Sequence, residues 1–258
     1  MKRLFVIFLI SACFILTSMA GAPMAAPAVS SSGDTPIWTV SCLGDSITNG
    51  YPYAEAETEN TYPARLLVML EAAYGPGSYS VINHGVDGHR ADQVLYDLEH
   101  LNWMAEDDPN FVLLMVGGND LNQETGGDPS KLPAVIEQTV SEVQDIVDLV
   151  TSHTNADGSH PQIIVSAFPP NRLSGVGGSA AVALYNSSLE SNLTGVDLWF
   201  TDNWDDFYDP DTSQARDSLM YDDVHPNDKG YIVMAENWFA AIDSFFHYLY
   251  LPLVLRNH

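Results

Sequence analysis

Apolar residues in this chain follow two alternating rhythms: short solid runs, and longer stretches where they recur every three or four positions. The solid runs predict five strands, at Ile37 to Leu43, Tyr79 to Ile82, Phe111 to Val116, Gln162 to Phe168 and Val196 to Phe200. Between them, Tyr62, Leu66, Leu67 and Leu70 predict one helix, and Val94, Leu95, Leu98 and Leu101 a second. The series Leu132, Val135, Ile136, Val140, Val143, Ile146, Val147 and Val150 predicts a long amphipathic helix. A helix around Ala180 to Leu193 and one through Tyr231, Ala235, Trp238, Ile242 and Phe246 complete the pattern. Strands that lack polar alternation are buried on both faces, and strand–helix alternation is how parallel strands are joined. The reading is a single α/β domain over 37–250, with a parallel sheet between helical layers. In such sheets reactive groups sit in loops at the carboxyl ends of the strands.

The first 25 residues stand apart. Lys2 and Arg3 precede an apolar run from Leu4 to Leu16, and small residues including Ser18-Met19-Ala20 follow. That order of charge, apolar run and small residues predicts a signal peptide over 1–25, hence a secreted or extracytoplasmic protein. Ile10-Ser11-Ala12-Cys13 loosely resembles a lipoprotein processing box, although apolar residues continue past Cys13 where that signal expects polar ones. Residues 26–36 predict a linker, and the tail LPLVLRNH, 251–258, either adds an edge strand or packs on the surface. Beyond the signal segment Cys42 is the one cysteine, so no internal disulfide forms and the core must supply the stability. Nine Lys+Arg against 34 Asp+Glu give a net charge of −25. Such a surface repels nucleic acid and anionic membranes, so neither is an expected partner once the signal is removed.

Four polar or glycine-rich clusters fall at the predicted strand ends or before the last helix: Gly44-Asp45-Ser46, "NHGVDGHR" from Asn83, "GGND" from Gly117, and "YDDVHPN" from Tyr221. Each alone reads as a cap, a turn or a surface histidine. Their coincidence at one sheet edge points to chemistry. A serine hydroxyl is a weak nucleophile until a base takes its proton, and His225 can be that base for Ser46. Asp222, three residues earlier, can reach the other ring nitrogen and hold the tautomer. Gly88 can bring a backbone N–H close to a substrate, Asn119 can donate from its amide, and the Ser46 N–H makes a third oxyanion donor.

"GDSIT", "NHGVDG", "GGND" and "DDVHPN", in this order, resemble the four signature blocks of the SGNH hydrolases, the GDSL-type esterases and lipases. The resemblance spans about residues 37 to 247. It implies a flavodoxin-like α/β/α sandwich with a mostly five-stranded parallel sheet. It implies Ser46 as nucleophile, Gly88 and Asn119 as oxyanion donors, and Asp222 with His225 completing the triad, with no cofactor or metal. Two positions depart from the family's usual pattern. His89-Arg90 stands where Asp-Thr is common, and Asp223 stands where Gly is common, so two acids precede the histidine.

Other features compete with this reading. Gly177-Gly178-Ser179-Ala180-Ala181 nearly mimics a G-x-S-x-G elbow, but it lacks the last glycine and follows a loop, so it reads as a helix start. "NWDDFYDPD", from Asn203, is acid-rich without the ligand spacing of a calcium loop and reads as solvated. His84 and His89 lack Cys or His partners at zinc spacing. Tyr51, Tyr53, Trp204, Phe207 and Tyr208 either line a groove for sugar or acyl groups or pack internally. The expected function is hydrolysis of acyl esters, on small esters or acetylated carbohydrates, through an acyl-enzyme. The alternatives are a lipase or thioesterase of the same family, or a carbohydrate-binding or surface protein that keeps the fold without the reaction.

Overall fold

A computed structural model describes residues 37–254. The predicted signal segment, the 26–36 linker and the last four residues of the tail lie outside them. In chain order the first half comprises β1 (Trp38–Gly44), α1 (Ser46–Asn49), α2 (Tyr62–Tyr74), β2 (Tyr79–Gly85), α3 (Ala91–His100), α4 (Trp103–Asp107) and β3 (Phe111–Met115). Then follow α5 (Gly118–Gln123), α6 (Leu132–Ser152), β4 (Gln162–Ser166), α7 (Ser179–Asn192), β5 (Leu198–Phe200) and α8 (Asp202–Asp205). A two-strand hairpin, β6 (Tyr208–Asp209) with β7 (Gln214–Ala215), precedes α9 (Asp228–Val254).

The sheet is parallel, with strand order β2-β1-β3-β4-β5. The fold is therefore α/β, as expected. The direction of winding reverses after β2, and right-handed crossovers then place the helices on opposite faces. Helices α2 and α9 pack together on one face, while α3, α6 and α7 form a row on the other. The solid apolar runs become the centre: Phe111, Val112, Leu113, Ile163 and Ile164 are all fully buried. The apolar stripe of α6 seals one layer, with Val143, Ile146, Val147 and Val150 buried.

Register places the site. Gly44 at the end of β1 pairs with Gly85 of β2 on one side and Met115 of β3 on the other. The loops after these three strands therefore leave the sheet side by side. Gly44 is required for a close approach: a Cβ there would lie 2.2 Å from Thr48 Oγ1 and 2.5 Å from the Met115 carbonyl oxygen.

The structure departs from the sequence reading in several places. Strand β2 runs three residues past its predicted end, because Asn83, His84 and Gly85 stay in register with Cys42, Leu43 and Gly44. "GGND" forms the start of α5 rather than a turn. The acid-rich stretch keeps Asp205, Asp206 and Asp211 exposed, as read, but carries α8 and the β6–β7 hairpin instead of a plain loop, with Asp205 accepting from the Thr201 hydroxyl and the Asp206 carbonyl from Arg216. The backbone of 251–254 continues α9 instead of adding an edge strand.

Candidate active site

Ser46 opens α1 directly after the β1 turn. Asp45 caps this short helix, its carboxylate accepting from the Ile47 N–H at 2.9 Å. The Ser46 N–H, at the first helical position, has no intrahelical acceptor. Ser46 is 8% exposed, so its hydroxyl sits at the bottom of the surface rather than on it. Its Oγ lies 2.9 Å from His225 Nε2.

His225 arrives from the turn before α9, and the Asp-x-x-His spacing builds that turn. Asp222 Oδ1 accepts the backbone N–H groups of Val224 (2.8 Å) and His225 (2.7 Å), which folds the carboxylate back under the imidazole. There Asp222 Oδ2 and Oδ1 lie 2.9 and 3.1 Å from His225 Nδ1. Partial burial alone would raise the Asp222 carboxyl; together, the donors from His225 and Val224 and the His225 charge outweigh it and hold the group below its ordinary value. Two further bonds fix the loop: Tyr221 N–H donates to the His225 carbonyl at 2.8 Å, and Asn227 Oδ1 accepts from Gly230 N–H at 3.1 Å, capping α9.

Gly88 and Asn119 are joined through one loop. Asn119 Nδ2 donates to the His89 carbonyl at 3.0 Å, and Gln123 Nε2 donates to the Gly88 carbonyl at 3.2 Å. Helix α5 thus holds the loop after β2 from two points. Gly88 has φ +78°, a conformation that disfavours side chains, and a Cβ there would meet open space. Asn119 spends one amide N–H on the loop and keeps the second. Ser46, His225 and Asp222 are therefore in direct contact, whereas Gly88 and Asn119 belong to the neighbouring loops of the same sheet edge.

The competing features have structural roles. Ser179 is buried; its hydroxyl donates to the Asn171 carbonyl at 2.6 Å and accepts from the Asn171 N–H. His84 pairs with Asp107 at 2.7 Å and stacks on Trp103, and His89 pairs with Asp97 at 3.0 Å. Among the described residues one acidic group, Asp92, Asp120 and Glu142, has ligand atoms close enough for a metal, and Arg90 already pairs with Asp92 there. Asp223 turns towards Arg172, whose backbone N–H donates to the Asp223 carbonyl at 2.8 Å and whose Nε lies 3.4 Å from its carboxylate.

Sequence reasoning missed two neighbours of Ser46 and His225. Asp45 is 2% exposed, and burial pushes its carboxyl up to about 7 despite the Ile47 donor, with Asp120 and Asp87 adding to the rise. Tyr221 precedes Asp222 and stands open to solvent. An aromatic directly before the acid pair was the one signal available for it.

Residues 42–233 match the GDSL-like lipase/acylhydrolase family. The chain belongs to that family. It is a carboxylic ester hydrolase, which sets aside the reading of the fold as a non-catalytic binding protein. No curated protein matches it. Solved structures share the fold of this acylhydrolase at low sequence identity. A carbohydrate acetylesterase family member from Sinorhizobium meliloti is 18% identical, with TM-score 0.56, covering 81% of this chain and 99% of its own. An acetylxylan esterase from Geobacillus stearothermophilus is 18% identical, with TM-score 0.58 and coverage of 80% and 94%. A lipase from a goat rumen metagenome is 17% identical, with TM-score 0.63 and coverage of 79% and 97%.

Proposed function

We propose that this acylhydrolase is an exported serine esterase that removes short acyl groups, carbohydrate O-acetyl groups above all. The observation that carries the reading is the unbroken relay from Ser46 Oγ to His225 Nε2 and from His225 Nδ1 to Asp222. His225 takes the Ser46 proton as Oγ attacks the ester carbonyl, and Asp222 stabilises the imidazolium that forms. The N–H groups of Ser46 and Gly88 and the free amide N–H of Asn119 are the donors for the developing oxyanion. Collapse of the tetrahedral intermediate expels the alcohol, which receives the proton from His225 and leaves an acyl group on Ser46. Water, deprotonated by His225, attacks that acyl-enzyme; collapse then releases the carboxylic acid and returns the proton to Ser46.

Two considerations support acetyl esters of carbohydrates. Two of the structural neighbours are described as acetylesterases of carbohydrate or xylan. The strong acidity also suits soluble, uncharged substrates outside the cell better than anionic lipid surfaces. The test is a panel of p-nitrophenyl esters of increasing chain length together with acetylated xylan and its oligosaccharides. Turnover that peaks at acetate and includes the glycans is expected; a rate that climbs towards long chains would replace this reading with that of a lipase.

A further inference from the structure

The structure sorts the five aromatic residues picked out in the sequence. Phe207 is fully buried, Trp204 and Tyr208 stack on one another, and the Tyr53 hydroxyl accepts from the Asp228 N–H. Tyr51 alone of the five stands against the relay, its ring centroid 4.5 Å from the His225 imidazole with 48° between the planes. A second ring, Tyr221, lies 6.2 Å from Tyr51 at 75°. Both are open to solvent, Tyr51 at 40% and Tyr221 at 55%. They are nonetheless anchored. The Tyr51 carbonyl accepts from the Tyr231 hydroxyl at 2.8 Å, and Tyr221 N–H closes the turn on the His225 carbonyl.

From this arrangement we infer that Tyr51 and Tyr221 form a stacking subsite for the sugar ring of an uncharged acetylated glycan, beside the Ser46–His225 pair. The inference rests on the esterase reading above. An exposed tyrosine offers an apolar face and a polar tip, which matches a pyranose with its C–H faces and hydroxyl rim. An acyl chain gains by leaving water, and two open rings do not enclose one. Because the backbone at both positions is fixed before substrate arrives, little loop ordering is needed on binding. Charge narrows the choice further. Asp223 and Asp228 are each paired with an arginine, so the repulsion comes from the molecule as a whole, whose net charge of −25 disfavours anionic glycans.

The test compares steady-state kinetics on an acetylated neutral xylo-oligosaccharide with those on p-nitrophenyl acetate. Tyr221→Ala and Tyr51→Ala should each raise KM for the oligosaccharide about tenfold and well beyond the change in KM for the small ester, as expected for losing one aromatic face. Tyr51→Ala, whose ring packs on His225, should also lower kcat on both substrates. Tyr221→Phe keeps the face and should stay within about twofold of wild type. A uronate-bearing acetylated oligosaccharide should show a higher KM that falls with added salt. KM values in the Ala variants equal to wild type, KM increases of the same size on both substrates, or a Phe variant as impaired as Ala would overturn the stacking subsite. Equal KM for the uronate substrate would overturn the preference for uncharged rings. Failure of the esterase reading shows elsewhere: wild type would then hydrolyse p-nitrophenyl acetate no faster than Ser46→Ala.

Discussion

At the residue scale, the consequential question is which of two adjacent acids serves His225. Asp222 makes three contacts within the turn: two backbone N–H groups and the ring nitrogen. Asp223 is occupied with Arg172 instead. Asp222→Asn should therefore lower kcat by about 10²–10⁴, because the amide can present the wrong polarity to Nδ1 and spoil the tautomer. Asp223→Asn should change kcat less than about tenfold, or some 1.4 kcal/mol. Paired kinetics on the two variants check this, and the opposite ranking would move the orienting acid by one residue. That Ser46, Asp222 and His225 would meet was legible because their clusters fall at one edge of a parallel sheet and an Asp-x-x-His turn folds the acid back onto the ring. Tyr221 was not legible, because one aromatic beside acids has no periodicity to distinguish a surface ring from a packed one.

At the scale of elements, the junction of β1 with α1 governs the site. The helix approaches so closely that Gly44 has no room for a methyl group, the nearest obstacles being Thr48 Oγ1 and a backbone carbonyl of β3. Gly44→Ala should destabilise the protein by about 1–3 kcal/mol, the usual range for an overfilled site, and should shift Ser46 relative to His225. Thermal melts and kcat should fall together; a melt indistinguishable from wild type would show that α1 can move away at no cost. Central strands were readable here because solid apolar runs such as Phe111 to Met115 mean burial on both faces. The end of β2 was hidden because Asn83 and His84 lie on a sheet-edge strand, where polar residues are tolerated. Helix α5 was hidden because Gly-Gly reads as a turn unless tertiary contacts continue it.

For the whole molecule, burial of acids makes stability depend on pH. Asp120 is fully buried, and burial raises its carboxyl from 3.8 to about 7 although Ala91 N–H donates to it. Below 3.8 the group is protonated in both states, and its contribution to stability is fully present. Between 3.8 and about 7 the unfolded chain releases the proton while the folded chain retains it, so this contribution declines and is lost above about 7. Each tenfold difference in proton affinity between the two states is worth about 1.4 kcal/mol, which makes the loss on the order of a few kcal/mol. Asp120→Asn should thus be more stable than wild type at pH 8 and lose that advantage near pH 4, as read by denaturant unfolding at both values. A constant difference between the two proteins would contradict the burial of a titrating acid. The fold class was legible from strand–helix alternation, but the order β2-β1-β3-β4-β5 was not, since an apolar run reports burial and not its neighbour.

The central claim is that Ser46 is the nucleophile of this acylhydrolase. Its most direct test is covalent labelling with a fluorophosphonate probe, followed by intact mass and peptide mapping. One adduct per chain on Ser46 is expected, absent in Ser46→Ala and much slower to form in His225→Ala, where the hydroxyl lacks its base. Labelling that persists in Ser46→Ala, or that maps to the buried Ser179, would contradict the account.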